Sequence, residues 1–449
     1  MIDELIKVII EMWYTFVQLV LSPYHHGMLT FAFKFVPYVL FLELPVYILI
    51  FLGIFRYYLR KNQEIPENRT YWPRVSCIVT CYSEGEDVKQ TIVTLTEQLY
   101  AGHIEILAMI DGAAQNADTE RGAKKMLPYV RKFPNRTLRV IPKYLRGGRV
   151  SSLNTGLRLA TGEIIMALDG DTSFDNNMVR DAARHFEDPN VCGVAGSLRV
   201  RNALKTLATR LQAVEYMLSI HASKVGLSEF SVVNNISGAF GIFRRSLLEK
   251  IGGWDSGTAE DLDVTLRIKN YFGRHPHLKI LFEPKAMGHT DAPETFSGFF
   301  GQRLRWDGDL YYLYCRKHSM SFNPRILGWR NMIMQLWTGL FFQIIIPFII
   351  IIYSIYVFCI STPGFVLGVW ALIYFFYLLV TTLFFIAFVT MISERKKDDL
   401  KLSWVLPIIP LFTFANRIWN AISTAKEMFH KQHLDSSMAP WWVLKRTKF

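Results

Sequence analysis

Ile164-Ile165-Met166-Ala167-Leu168-Asp169-Gly170-Asp171 is the stretch whose reading decides the fold. Five apolar residues read as a short buried strand, and Asp-Gly-Asp ends it in a polar turn. The same pattern recurs upstream. Val75-Ser76-Cys77-Ile78-Val79-Thr80 is β-rich, residues 81–85 are turn-like, and 88–99 carry a helical pattern. Residues 104–110 form a second strand with Asp111-Gly112 at its end, 137–141 form a third, and 151–160 are helical. Strands alternating with helices predict an α/β domain built on a mostly parallel sheet. Ligands of such sheets bind outside the carboxyl ends of the strands. Here those ends present Tyr82, Asp111, Asp169 and Asp171.

Two carboxylates at a strand end suit Mg²⁺ or Mn²⁺, which is usually held by one or two carboxylates together with substrate phosphates. Asp-rich turns are also common without any metal. Arg146-Gly147-Gly148-Arg149 adds cations and pliant backbone just upstream, fit for phosphate or for a solvated loop. Ser237-Gly238-Ala239-Phe240 is a small-residue turn into a strand, and Gly252-Gly253-Trp254 leads to Ala259-Glu260-Asp261-Leu262-Asp263. Asp261 opens a helical pattern. Its acidic neighbours are equally explained as residues favoured in a first helical turn. A general base needs a carboxylate near the acceptor hydroxyl. His221 and His289 sit in less suggestive settings and read as structural. Further on, Gln302, Arg305 and Trp306 fall at i, i+3 and i+4, hence on one helical face. A guanidinium suits a diphosphate, and an indole offers a flat platform for a sugar. An interfacial amphipathic helix explains the same residues.

The chain of 449 residues carries a net charge of +12, and its apolar residues gather towards the two ends. Basic membrane flanks or an anionic substrate account for the charge. No basic run is interleaved with exposed aromatics as in a nucleic-acid module, so nucleic acid is not expected as a partner. The five cysteines have no metal-ligand spacing and suit a reducing compartment. Cys77 and Cys81 read as buried strand residues. Residues 5–22 fit either a membrane span or an interfacial helix, and no secretory signal is evident. Residues 29–55 read as a span followed by Arg56, Arg60 and Lys61, which places that end on the cytosolic side. Within it Glu43 must face protein or water. Residues 332–360 and 365–392 read as a helical hairpin. Residues 402–423 are ambiguous, because Arg417 is too costly for a lipid face.

Taken together, the motifs resemble the processive family-2 glycosyltransferases: cellulose, chitin, hyaluronan and poly-N-acetylglucosamine synthases. The resemblance rests on Thr80-x-Tyr82-x-Glu84, Asp111, Gly148-Arg149-x-x-x-Leu153-Asn154-x-Gly156, Asp169-x-Asp171, Ser237-Gly-Ala-Phe, Glu260-Asp261 and Gln302-x-x-Arg305-Trp306. These run in order over about half the chain. The resemblance implies a cytosolic GT-A nucleotide-sugar domain, at 70–320, between membrane segments at 1–60 and membrane and interfacial helices at 325–425. It also implies a lipid-embedded protein of the plasma or inner membrane, with a channel for the product. Accessory protein partners are not readable.

The same resemblance implies roles residue by residue. Tyr82, Glu84 and Asp111 would hold the uridine of a UDP-sugar, next to Thr80. Asp169 would help hold UDP and the metal, and Asp171 would bind Mg²⁺ or Mn²⁺. Arg149, Gln302 and Arg305 would clamp the diphosphate. Asp261 would be the base, beside Glu260, and Trp306 would stack on the growing polysaccharide acceptor. Arg149 stands where many relatives have Lys, and Ala259 where they often have Thr. The cellulose-type gating motif is absent. Trp441, Trp442, Lys445, Arg446 and Thr447, in a basic tail at 426–449 expected to be cytosolic, loosely resemble the gating loops of hyaluronan and chitin synthases. The expected reaction is inverting polymerisation of a UDP-sugar into a β-linked polysaccharide. The alternative is a single transfer to a lipid acceptor.

Overall fold

The structure, a computed structural model, describes residues 2–26, 42–61, 70–255 and 259–431. The tail positions from Trp441 to Thr447, and part of the expected span at 29–55, lie outside the described residues.

The strands read from the sequence are β1 (Val75–Cys81), β2 (Ile104–Asp111), β3 (Arg136–Lys143) and β4 (Ile164–Asp169). They pair in parallel in the order β3-β2-β1-β4. β1, β2 and most of β4 are buried, as expected for strands covered on both faces. Beyond them the sheet becomes mixed. The remaining strands are β5 (Ser173–Phe174), β6 (Val191–Val200), β7 (Phe240–Arg244) and β8 (Lys279–Thr290). The full order is β3-β2-β1-β4-β7-β6-β8-β5, with β7 antiparallel to both neighbours and β6 parallel to β8. Cys77 and Cys81 are buried in β1.

Among the described residues, four helices are long and apolar enough to cross a membrane: Asp3–Ser22, Trp329–Ile360, Pro363–Ile392 and Ser403–His430. The chain is an integral membrane protein. The helix Ile2–His26 packs against Pro363–Ala387, which favours spanning over an interfacial position for residues 5–22. Two charges flagged by the sequence find each other. Glu43 is fully buried, and its carboxylate accepts hydrogen bonds from Arg417 at 3.0 Å and Tyr377 at 2.5 Å. Arg417 thus avoids lipid by pairing.

The helix Leu44–Lys61 joins membrane to catalytic domain. It crosses Ser223–Glu229 where two glycines meet, and a Cβ on Gly53 would lie 2.2 Å from the Gly226 carbonyl oxygen. Arg60 then pairs with Glu229 at 2.7 Å. At the other end, the Trp419 indole donates to the Phe300 carbonyl at 2.9 Å. This seats Ile409–His430 along the helix Phe296–Tyr311, which carries Gln302, Arg305 and Trp306.

Candidate active site

At the end of β2, the buried Asp111 carboxylate caps the helix Gly148–Leu159 from a distance. It accepts from the main-chain N–H of Gly147 at 2.9 Å and of Gly148 at 2.8 Å. Lys143, its partner in register on β3, adds an ion pair at 2.9 Å. Carboxylates are favoured at helix N-termini, and Gly148 takes a φ of +77° that a side chain would resist. The helix therefore begins at Gly148 rather than near 151, and Arg149 stands in its first turn, not in a loop. Arg146 lies with its guanidinium carbon 4.3 Å above the Tyr82 ring, whose residue is exposed. In the same helix, Asn154 donates to the Trp254 carbonyl at 2.7 Å and accepts from its N–H at 2.9 Å. This ties the turn at 252–254 to that helix.

Arg149 is the hub of the cleft. It donates to Thr80 Oγ1 at 2.9 Å, to the Gly238 carbonyl at 2.6 Å, and to Asp169, while its Nε lies 2.6 Å from Glu260 Oε1. Gly238 turns its other face to Asp261, donating its N–H to Oδ2 at 3.1 Å. Asn235 Nδ2 approaches the same oxygen at 3.4 Å, and the Leu262 N–H binds Oδ1 at 2.8 Å. One small-residue turn thus joins the strand-end acids to the helix Glu260–Lys269. That helix starts from Ala259 in a left-handed conformation (φ 45°), an uncommon position for a residue with a Cβ. Burial pushes the Glu260 carboxyl up, opposed by Arg149 and reinforced by Asp261.

Beside this cluster, Asp171 is exposed and receives only a long 3.3 Å contact from the Thr172 hydroxyl among the hydrogen bonds described. Glu84 Oε2 is buried without a hydrogen-bond partner. Burial raises the Glu84 carboxyl, main-chain N–H groups oppose this, and the Asp171 charge raises it further. Among the described residues no group of three or more His, Cys, Asp or Glu forms a ready-made metal cage. The exposed, nearly unbonded Asp171 carboxylate nonetheless fits a hard cation that takes its remaining ligands from phosphates.

Gln302 is half-buried and accepts from Gln212 Nε2 at 2.9 Å, whereas Arg305 and Trp306 face outward. Arg303 fixes the helix, with both Glu215 oxygens within 2.7 Å of its Nη2. Its guanidinium stacks 5.1 Å from Phe299 and 5.2 Å from Trp306. The link from this helix to the one bearing Asp261 is Asp263. It pairs with Arg267 on its own helix, with Lys317 at the end of Tyr312–Lys317 and with His318 just beyond. The sequence reading missed Lys143, Gln212, Glu215, Arg303, Lys317 and His318. The strand-end position of Lys143 was a usable signal; nothing local marks the others. His221 and His289 are structural, bonded to Ser197 and Asp175 respectively.

A mixed sheet with strand-end acids, covered by a helix pair leading into the membrane, defines the GT-A class. The glycosyl transferase family group 2 model matches residues 164–389. The chain belongs to that family, and it is a glycosyltransferase. The poly-β-1,6-N-acetyl-D-glucosamine synthase of Staphylococcus epidermidis is 29% identical over 238 residues, 52% of this chain and 53% of the relative. That of Staphylococcus aureus is 30% identical over 255 residues, 56% and 57% of the two chains. A probable glycosyltransferase of Bacillus subtilis is 28% identical over 57% of this chain and 60% of its own. The match thus spans little more than half the length of these curated relatives. A mannosyltransferase from Pyrobaculum calidifontis, solved with GDP-Man and Mn²⁺, has a TM-score of 0.52. It is 18% identical, with 86% of this chain and 99% of that one covered, and shares the fold.

Proposed function

We propose that this protein polymerises N-acetylglucosamine from UDP-N-acetylglucosamine into a β-linked polysaccharide. In this reading it works from the cytosolic face and passes the product through its own membrane helices. The donor follows from the synthases it resembles over half its length. The observation that carries the reading is Gly238, whose carbonyl faces Arg149 and whose N–H faces Asp261. Diphosphate charge and proton acceptor are thereby held by one turn.

Tyr82, backed by Arg146, stacks on the uracil, and Glu84 lines the same end. Asp111 serves this end by fixing the start of the helix Gly148–Leu159, since both its oxygens are already bonded within the protein. Asp171, with Asp169 beside it, would hold Mg²⁺ or Mn²⁺, which would supply positive charge to the diphosphate leaving group. Arg149 and Arg305 stabilise the negative charge that develops on UDP. Gln302, oriented by Gln212, positions the diphosphate. Trp306 and Glu260 align the acceptor sugar, and Asp261 takes the proton from its hydroxyl. A single displacement inverts the anomeric carbon, so an α-linked donor gives a β-linkage.

Purified protein in lipid nanodiscs, supplied with UDP-N-acetylglucosamine and Mg²⁺ or Mn²⁺, tests this. The expected result is UDP release with a long product cleaved by a β-1,6-N-acetylglucosaminidase. A single-sugar lipid product would instead establish transfer to a lipid acceptor.

A further inference from the structure

Lys224 is a lysine almost without solvent, 4% exposed, on the helix Ser223–Glu229. Its neighbours Ala222, Val225 and Leu227 are buried apolar residues, so an ammonium there is costly unless something nearby offsets it. The Nζ donates to Ser237 Oγ at 2.7 Å. Ser237 opens the turn whose next residue, Gly238, bonds Asp261. The helix has little room to shift. Two residues on, a Cβ at Gly226 would come within 2.4 Å of the Ile50 carbonyl oxygen, and Glu229 is paired with Arg60.

We propose that Lys224 is a positioning residue for glycosyl transfer: its ammonium pins the Ser237-Gly238 turn against Asp261 and supplies positive charge to that carboxylate. The role rests on Asp261 being the base. Burial lowers the Lys224 ammonium to about 8, and the Asp261 carboxylate is the charge that opposes this fall. The other ionisable groups facing Asp261 are Glu260 on its own helix, Arg149 beyond Glu260, and Tyr314 from the neighbouring helical segment Tyr312–Lys317. Arg149 approaches this helix through Glu260, whereas Lys224 reaches the turn at Ser237.

Lys224→Met preserves the stem and removes the charge; Lys224→Gln also removes the charge but keeps a donor for Ser237. Lys224→Arg restores the charge. Each is assayed in nanodiscs for UDP affinity, donor KM, kcat and the pH dependence of kcat/KM, alongside Asp261→Asn. For Met and Gln the acidic limb should move up by about one pH unit. On that limb the change equals roughly a tenfold loss of kcat/KM at fixed pH. UDP affinity and donor KM should stay within about twofold, a change too small to register as lost binding energy. Gln should keep more of the wild-type kcat than Met, and Arg should return the limb towards wild type. An unmoved acidic limb in either neutral variant, with Asp261→Asn inactive, overturns the role of Lys224 and leaves the base assignment standing. Turnover by Asp261→Asn overturns the base assignment, and this role with it.

Discussion

The carboxylate of Asp263 accepts a hydrogen bond from His318 Nε2 at 2.8 Å, and so fastens the helix bearing Asp261 to the segment that follows Trp306. Lys317 and Arg267 complete the cluster at 2.9 and 3.0 Å. Burial alone would raise the Asp263 carboxyl, but the hydrogen bond from His318 and the charges of Arg267 and Lys317 hold it well below its ordinary 3.8. Its contribution is therefore complete above about pH 4 and disappears only as pH falls well below that value. Asp263→Asn should destabilise the folded protein by about 3–5 kcal/mol at pH 7, the usual result of stranding buried charges. The gap between variant and wild type should shrink in acid. Thermal unfolding in detergent at pH 7 and pH 2 checks both; an unchanged Tm at pH 7 would show that the cluster does not hold the two helices together.

Glu43 and Arg417 form the corresponding fastening inside the membrane. Arg417→Leu alone should cost roughly 3–5 kcal/mol, because Glu43 is left buried without its cation. Adding Glu43→Leu should recover most of that loss, since an apolar pair replacing a buried ion pair is often neutral. Equal losses in single and double variants would mean that the two charges act independently.

How far these features could be read in advance depended on whether chemistry was local. β1 to β4 and their strand-end acids were legible because each strand is a continuous apolar run closed by polar residues. Glu43 and Arg417 were each recognisable as unfit for lipid, but their pairing spans 374 positions and leaves no local trace. Arg149 was expected, from the family resemblance, to contact the diphosphate, whereas its hub position depends on Gly238 and Glu260, which only tertiary structure brings together. The antiparallel placement of β7 likewise follows from how the later strands pack. Asp111 was legible as a strand-end acid, but its bonds to Gly147 and Gly148 required knowing that a helix starts there.

Gly53 is a point where membrane and catalytic domain have no slack. Gly53→Ala should push Leu44–Lys61 off Ser223–Glu229 and cost about 1–3 kcal/mol, as overpacking usually does. A lower Tm with weakened Arg60–Glu229 coupling in a double-mutant cycle is expected. Unchanged stability would show that the crossing is looser than the geometry requires.

Asp171 should carry the metal dependence of nucleotide binding. Chelation with EDTA should weaken UDP binding to wild type, and Asp171→Ala should bind UDP with or without metal about as weakly as chelated wild type does, because carboxylate and phosphates share the cation. Calorimetry measures this directly. Tightening by Mn²⁺ to the wild-type degree in the variant would remove Asp171 from the ligand set.

In the proposed mechanism the turn at Gly238 brings a diphosphate clamp and a proton acceptor together, with Asp261, bonded to the Gly238 N–H, as that acceptor. Asp261→Asn keeps the shape and most of the hydrogen bonds around the side chain while abolishing its capacity to take a proton. Measured side by side on the purified variant, UDP affinity should match wild type while sugar transfer falls by about 10²–10⁴-fold. Transfer at a near-normal rate, with UDP still bound, would contradict the account.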